Sequence, residues 1–204
     1  KLTTEREWVE TIVQRLDKQL RQRRSKGSQI QARAHFELTY AHEILSYSFD
    51  NKGRSIPDLS GHSPTYQTDI LISEHRDDDT WTPRVIIECK IGDSKISTHD
   101  ALTYSAKAAT HKHVHPYLRY GILLGAFNNS LPYRLVRHGS YFDFMVALKS
   151  ERPTPQEWDA LLALLKDEIK ASRMLQDILT NHNKQGRERF SVLHKPLCLV
   201  PYVG

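Results

Sequence analysis

The stretch Tyr66–Gly92 sets the tightest limit on what this chain can fold into. It reads Tyr-Gln-Thr-Asp-Ile-Leu-Ile-Ser, then a polar connection, then Pro-Arg-Val-Ile-Ile-Glu-Cys-Lys-Ile-Gly. Both ends are short, rich in β-branched residues and bounded by turn formers, which is the pattern of two strands. Strands this apolar belong inside a sheet, yet they carry Asp69, Glu88 and Lys90. A strand alternates faces at every residue, so Glu88 and Lys90 point one way and Cys89 the other. A hairpin with its tip at Asp78 and Asp79 pairs Ile72 with Val85, Ser73 with Arg84 and Asp69 with Glu88.

Paired strands lie about 5 Å apart, so this register puts two carboxylates and one ammonium on one patch of sheet. Buried carboxylates repel unless a cation separates them. A hard divalent ion, Mg²⁺ or Mn²⁺, suits that pair, with the Cys89 backbone carbonyl as a further oxygen ligand. Lys90 would then orient the attacking water or stabilise developing negative charge. The chemistry this suggests is phosphodiester cleavage.

Asp69, an interval of eighteen residues, and Glu88-Cys89-Lys90 resemble the Asp…(Asp/Glu)-x-Lys signature of the PD-(D/E)XK, or restriction-endonuclease-like, nuclease superfamily. The Pro that usually precedes the Asp in that family is Thr68 here. The resemblance implies that Asp69 and Glu88 are metal ligands, that Lys90 assists the water, and that the substrate is DNA. It also implies a helper Glu on the helix before the Asp strand, commonly after an aromatic residue, and Phe36-Glu37 matches. The helix after the Lys strand packs behind the site in that family and often adds a polar residue, for which Tyr104 and Lys107 are the candidates.

The length of 204 residues suits one domain. The hydrophobic fraction of 39% and the lack of any apolar run near twenty residues argue against a membrane span. Cys89 and Cys198 have no CxxC spacing and fit a reducing, cytoplasmic setting. No signal-peptide pattern opens the chain, and it starts at Lys1 without Met, as a domain of a longer protein would. A net charge of +5 and a pI near 9.2 favour a polyanionic partner, which the resemblance implies to be nucleic acid, double-stranded DNA in the first instance.

Before the hairpin, Thr4 and Glu7 have capping-box spacing, and Trp8, Val9, Ile12, Val13, Leu16 and Leu20 follow at helical spacing. That helix ends in Arg21, Arg23, Arg24 and Lys26, stopped by Gly27. With Lys95 in the loop after Gly92, these are the candidate phosphate contacts. A second helix is predicted over about 28–49, because Ile30, Ala34, Leu38, Ala41 and Leu45 fall on one stripe. Glu37 lies in that stripe and Glu43 opposite it. Residues 50–64 are loop, with a short strand around Arg54–Leu59.

After the hairpin a helix begins near Thr98, rich in Ala, and ends in the alternating His111, His113 and His115. These read as helix-end histidines rather than a zinc site, since neither cysteine has a neighbouring ligand to complete one. Tyr120–Phe127 is a buried strand, and Tyr133–Arg137 and Tyr141–Leu148 are two more. Thr154-Pro155-Gln156-Glu157 starts a long helix whose Leu-rich stripe suits either the core or a dimer surface. The tail from Phe190 to Val203 is apolar and extended, with Pro196 and Pro201.

The expected architecture is α/β, a mixed central sheet flanked by helices, in one nuclease domain over 1–204. Residues 28–126 resemble the restriction-endonuclease-like core, 1–27 are an N-terminal amphipathic helix, and 127–204 hold further strands, a long helix and a tail. The function expected is a Mg²⁺-dependent DNA endonuclease of restriction or defence type, working alone, as a homodimer or in a larger complex. A non-catalytic nucleic-acid-binding or interaction module that retains the fold is the alternative. Each cation that neutralises a phosphate releases counterions. Replacing two of Arg21, Arg23, Arg24 and Lys26 should therefore flatten the log affinity against log salt slope by about one per lost contact. Anisotropy with labelled DNA in Ca²⁺ reads that slope, and an unchanged slope would move the footprint to Arg134, Arg137, Arg187 and Arg189.

Overall fold

The computed structural model of the chain describes residues 4–21, 27–39, 44–59, 65–92, 96–127 and 131–180. Its centre is the expected hairpin, β4 (Thr65–Arg76) and β5 (Trp81–Ile91), antiparallel with Ile70 against Ile87 and Ile72 against Val85. At the tip, Asp78 accepts hydrogen bonds from the Thr80 N–H and hydroxyl, and Asp79 takes φ 61°. The register expected at Ser73 is corrected: Ser73 faces Pro83, and Arg84 is the extra residue of a bulge. Proline cannot donate to the ladder, and a bulge accommodates that.

β1 (Ser28–Thr39) pairs antiparallel with the outer side of β4, and β6 (Arg119–Gly125) pairs parallel with β5. β7 (Phe144–Ala147) continues parallel beside β6, giving the order β1-β4-β5-β6-β7. The parallel pair needs a crossover, and α2 (Thr98–Val114) supplies it. Ser97 caps α2 in a complete capping box with Asp100. A separate two-stranded ribbon, β2 (Ile44–Phe49) with β3 (Ser55–Leu59), leaves and re-enters the sheet between β1 and β4. The architecture is thus α/β with a mixed five-stranded central sheet and helices on both faces.

One face of the sheet buries Ile70, Ile72, Val85, Ile87, Cys89 and Leu123 under α1 (Glu5–Arg21) and α4 (Pro155–Thr180). All six apolar positions of α1 predicted from spacing are buried there. The opposite face buries Leu71, Ile86, Tyr120, Ile122 and Leu124 under α2 and the short α3 (Tyr133–His138). The small Ala101, Ser105 and Ala108 are the buried positions on α2 besides His111, so the helix backbone lies close to the strands. α4 is tied to the sheet by charge: Arg173 and the buried Arg84 both bond Glu74 at 2.7 Å. Burial pushes the Glu74 carboxyl up, but the hydrogen bonds from Arg173 and Ser28 and the charge of Arg84 win and hold it at about 2.

The predicted helix over 28–49 is not formed: β1 and β2 occupy that stretch. Positions four apart are common to the helical and the strand period, so the stripe Ile30, Ala34, Leu38 fits both. The deciding signal was the strict alternation Ile30, Ala32, Ala34, Phe36, Leu38. The predicted strand Tyr133–Arg137 is instead the helix α3, and the strand expected over Tyr141–Leu148 shortens to Phe144–Ala147. The apolar tail from Phe190 lies outside the described residues, and Glu43 does too.

β1 and β4 exchange faces partway along. Ala32 and Ala34 pack with Ile70 on the α1 side, whereas Phe36, Leu38 and Tyr66 pack on the α2 side. The exchange falls at His35, which takes φ 49° and stands between the paired steps Ala34–Ile70 and Phe36–Thr68, opposite Asp69. A left-handed residue reverses the pleat without breaking the pairing count.

Gly125, the last residue of β6, sets where α1 lies. A Cβ there would fall 2.3 Å from Cζ2 of the buried Trp8 ring, whose indole N–H donates to the Glu151 carbonyl at 2.8 Å. Gly125→Ala should lower stability by about 1–3 kcal/mol, because Trp8 has no room to retreat. Urea denaturation checks this, with the midpoint expected to fall at an unchanged m-value.

Candidate active site

The site is built where β4, β5 and β6 run side by side, on the face covered by α2. Glu88 is only 3% exposed, and Ile86, on the same face, packs under α2. One step beyond the Ile70–Ile87 pair the same register brings Asp69 beside Glu88, close enough for the Asp69 charge to act on the Glu88 carboxyl. The Asp69 carboxylate also accepts the Cys89 N–H at 2.8 Å, so it takes a place that a strand carbonyl would otherwise fill. That bond fixes Asp69 beside Glu88 by the backbone of β5 itself.

Three side chains surround Glu88. The hydroxyl of Tyr120, one strand over on β6, donates to Oε1 at 2.5 Å. The Lys107 ammonium, from α2, stands 3.7 Å from the same oxygen. Burial, then the Asp69 charge, pushes the Glu88 carboxyl up from 4.5 to about 6, against the opposing pull of Tyr120 and Lys107. Burial and the Glu88 charge likewise push the Tyr120 hydroxyl far up, so it remains a donor.

Lys90 lies two residues on, at the carboxyl end of β5. Its ammonium is 3.2 Å from Glu5 Oε1 in the first turn of α1 and 5.5 Å from the centre of the Tyr104 ring. Burial would lower its pKa, but the hydrogen bond to Tyr104 and the Glu5 carboxylate more than offset this and raise it. Lys90 is therefore charged throughout the ordinary pH range. Tyr104 is flanked by both ammonium groups, with Lys107 at 5.6 Å from its ring.

The structure thus brings Asp69, Glu88 and Lys90 together, with Tyr104 and Lys107 from α2. It does not bring Glu37 to them. Glu37 sits exposed on β1 opposite Gln67, with no hydrogen bond or ion pair to Asp69 or Glu88. The helical carboxylate that reaches the site is Glu5. Glu5 gave no such signal, because an acid in a helix first turn is ordinarily read as a dipole or capping residue, and Lys90 is 85 residues away. Tyr120 was legible only as the start of an apolar strand. His35 was also passed over: it stands in register opposite Asp69, and its Nε2 is buried with no hydrogen-bond partner among the described residues.

Among the described residues no three His, Cys, Asp or Glu side chains converge on a metal position. What could hold a hard cation is the pair Asp69 and Glu88 with the adjoining Cys89 backbone. The Cys89 thiol itself is buried on the other face, and burial raises its pKa well above the usual value. His111 is buried in α2 with its ring centre 5.6 Å from that of Tyr66 and 5.3 Å from that of Tyr120. Burial lowers its pKa to about 4, so it is neutral packing. Arg21 pairs with Asp17 at 2.6 Å, while Arg23, Arg24, Lys26 and Lys95 lie outside the described residues. No family model and no curated protein matches the chain.

The electrostatics of the pair predict a stability effect. A Glu88 whose folded pKa is raised leaves the protein unpenalised below pH 4.5, and stability is lost as pH rises through about 6. The difference between 4.5 and about 6 corresponds to about 2 kcal/mol. Glu88→Gln should therefore stabilise the protein by about 2 kcal/mol at pH 8 and leave it unchanged at pH 4. Urea denaturation in EDTA at both pH values checks this.

Proposed function

We propose that the chain is a divalent-metal-dependent nuclease that hydrolyses phosphodiester bonds of DNA, in a fold of the restriction-endonuclease-like type. One observation carries the reading: the buried Glu88 and the half-buried Asp69 stand side by side on adjacent strands, and burial with the Asp69 charge pushes the Glu88 carboxyl up to about 6. A charge pair of this kind is costly for folding alone and is relieved by a hard cation with oxygen ligands. The donor set fits Mg²⁺ or Mn²⁺, with Asp69, Glu88 and the Cys89 carbonyl as its holders. Such an ion, when bound, supplies Lewis-acid polarisation of the phosphate and a water acidic enough to react near neutral pH.

The chain's own residues do the rest. The Cys89 N–H orients Asp69, and Tyr120 holds one oxygen of Glu88 and leaves the other available. Lys107 offsets charge behind the pair. Lys90 stays cationic and reaches the carboxyl end of β5, from which it orients the attacking water and stabilises charge on the phosphate. Glu5 steadies Lys90 in that position.

A second reading keeps the fold without the chemistry: Lys107 and Tyr120 already satisfy Glu88, and Glu5 already satisfies Lys90. A plasmid-nicking assay with Mg²⁺ or Mn²⁺ separates the two. Asp69→Ala and Lys90→Ala should each lower cleavage by at least about 100-fold, with Asp69→Ala weakening divalent-ion binding and Lys90→Ala sparing it. Glu5→Gln should reduce turnover, and Glu37→Gln should leave it within about twofold. No divalent-dependent nicking by the wild-type chain would favour the non-catalytic module.

A further inference from the structure

The carboxyl ends of β5 and β6 are joined by a hydrogen bond from the Gly92 N–H to the Gly125 carbonyl, so the chain after Gly125 emerges on the Lys90 side of the sheet. α3 follows. It is anchored by Leu135, fully buried among Ile96, Ala101, Leu124 and Phe127, a cluster against which Tyr104 also packs. The opposite face of α3 is solvent-exposed, with no described element packed over it. Tyr133 is 70% exposed, Val136 61%, and Arg137 is exposed with them at the i, i+3, i+4 spacing of one helix face. The Arg134 guanidinium lies against Tyr133, 5.7 Å from its ring centre, with its Nε donating to the phenol oxygen at 3.4 Å. From Leu131 to Phe142 there is no acidic residue, while Arg134, Arg137 and His138 are basic.

An aromatic ring held open to solvent by a guanidinium, with a second arginine one turn on, suits a base to stack on and phosphates on either side. Protein–protein interfaces use Tyr and Arg as well, but there is no acid here for a partner's cations to meet. Fully paired DNA offers no free base face, whereas an unpaired strand offers one at every nucleotide. We propose that α3 is the docking platform for an unpaired segment of the DNA strand beside the cleavage site, with Tyr133 stacking a base and Arg134 and Arg137 holding phosphates. This rests on the reading of the site as a nuclease. It narrows the substrate to DNA with an overhang, flap or frayed end.

Fluorescence anisotropy in EDTA tests the platform apart from the chemistry, with a labelled single-stranded 20-mer, the blunt duplex and the duplex with a ten-nucleotide overhang. Wild-type protein should bind the single strand and the overhang more tightly than the blunt duplex. Tyr133→Ala should weaken the first two on the order of 5- to 100-fold and barely change the third, and Tyr133→Phe should retain the affinity. The double variant Arg134→Gln, Arg137→Gln should flatten the salt slope by about 0.7 per lost phosphate contact. Tyr133 is solvent-exposed, so loss of fold does not confuse the result. Equal binding of all three DNAs, undiminished binding by Tyr133→Ala, or Tyr133-dependent self-association without DNA would each overturn the inference. Cleavage that ignores Tyr133 would sink the platform and leave the nuclease reading standing. Tyr133-dependent binding without divalent-dependent cleavage would do the reverse.

Discussion

Two carboxylates meet on adjacent strands of a buried sheet, and much of the surrounding structure is arranged around that contact. A carboxylate pair of this kind would ordinarily drive the strands apart or be replaced by apolar residues. Here it is held by groups that cannot easily leave. The Cys89 N–H belongs to the ladder, Tyr120 is a fully buried core residue of the neighbouring strand, and Lys107 rides on a helix packed closely through alanines. Each holder has a structural reason to be where it is, so the pair is fixed without depending on loops.

The two core layers divide the labour. The α1 and α4 layer is broad and aliphatic, with Trp8 and Trp158 filling it, and the Glu74–Arg84–Arg173 ion network closes its far end. The α2 layer is thinner and holds the polar groups. Glu5 links the two, because the fit of Trp8 over Gly125 sets where the first turn of α1 ends and so where its carboxylate stands. The Glu74–Arg84–Arg173 network and the Asp69–Glu88 pair are thereby separated along β5 by a run of buried aliphatic residues, Val85 to Ile87.

The hairpin, the acid pair opposite one another, Lys90 on the same strand face as Glu88, and the caps of α1 and α4 were all legible in the sequence. They are local features, decided by alternation, turn chemistry and capping. What was not legible depended on distance or ambiguity. The β1 segment was misread because a four-residue spacing satisfies two periods at once, and with it Glu37 was placed on a helix that does not exist. The bulge at Arg84 could have been suspected from Pro83, which cannot donate to the ladder. Glu5 and Tyr120 join the site through tertiary packing across 85 and 32 residues, for which no pattern in one sequence carries a signal.

The exchange of faces at His35 and Asp69 has a consequence for how this fold can change. Strand pairs with one continuous pleat must keep their phase along their whole length, because a slip of one residue turns every side chain over. Here the left-handed His35 separates the alternation of Phe36 and Leu38 on β1, and of Tyr66 on β4, from that of Ala32, Ala34 and Ile70. The outer ends of β1 and β4 therefore follow their own side-chain alternation, with the β2–β3 ribbon set between them. That ribbon can be exchanged or lengthened as one unit while Phe36, Leu38 and Tyr66 keep their places in the α2 layer.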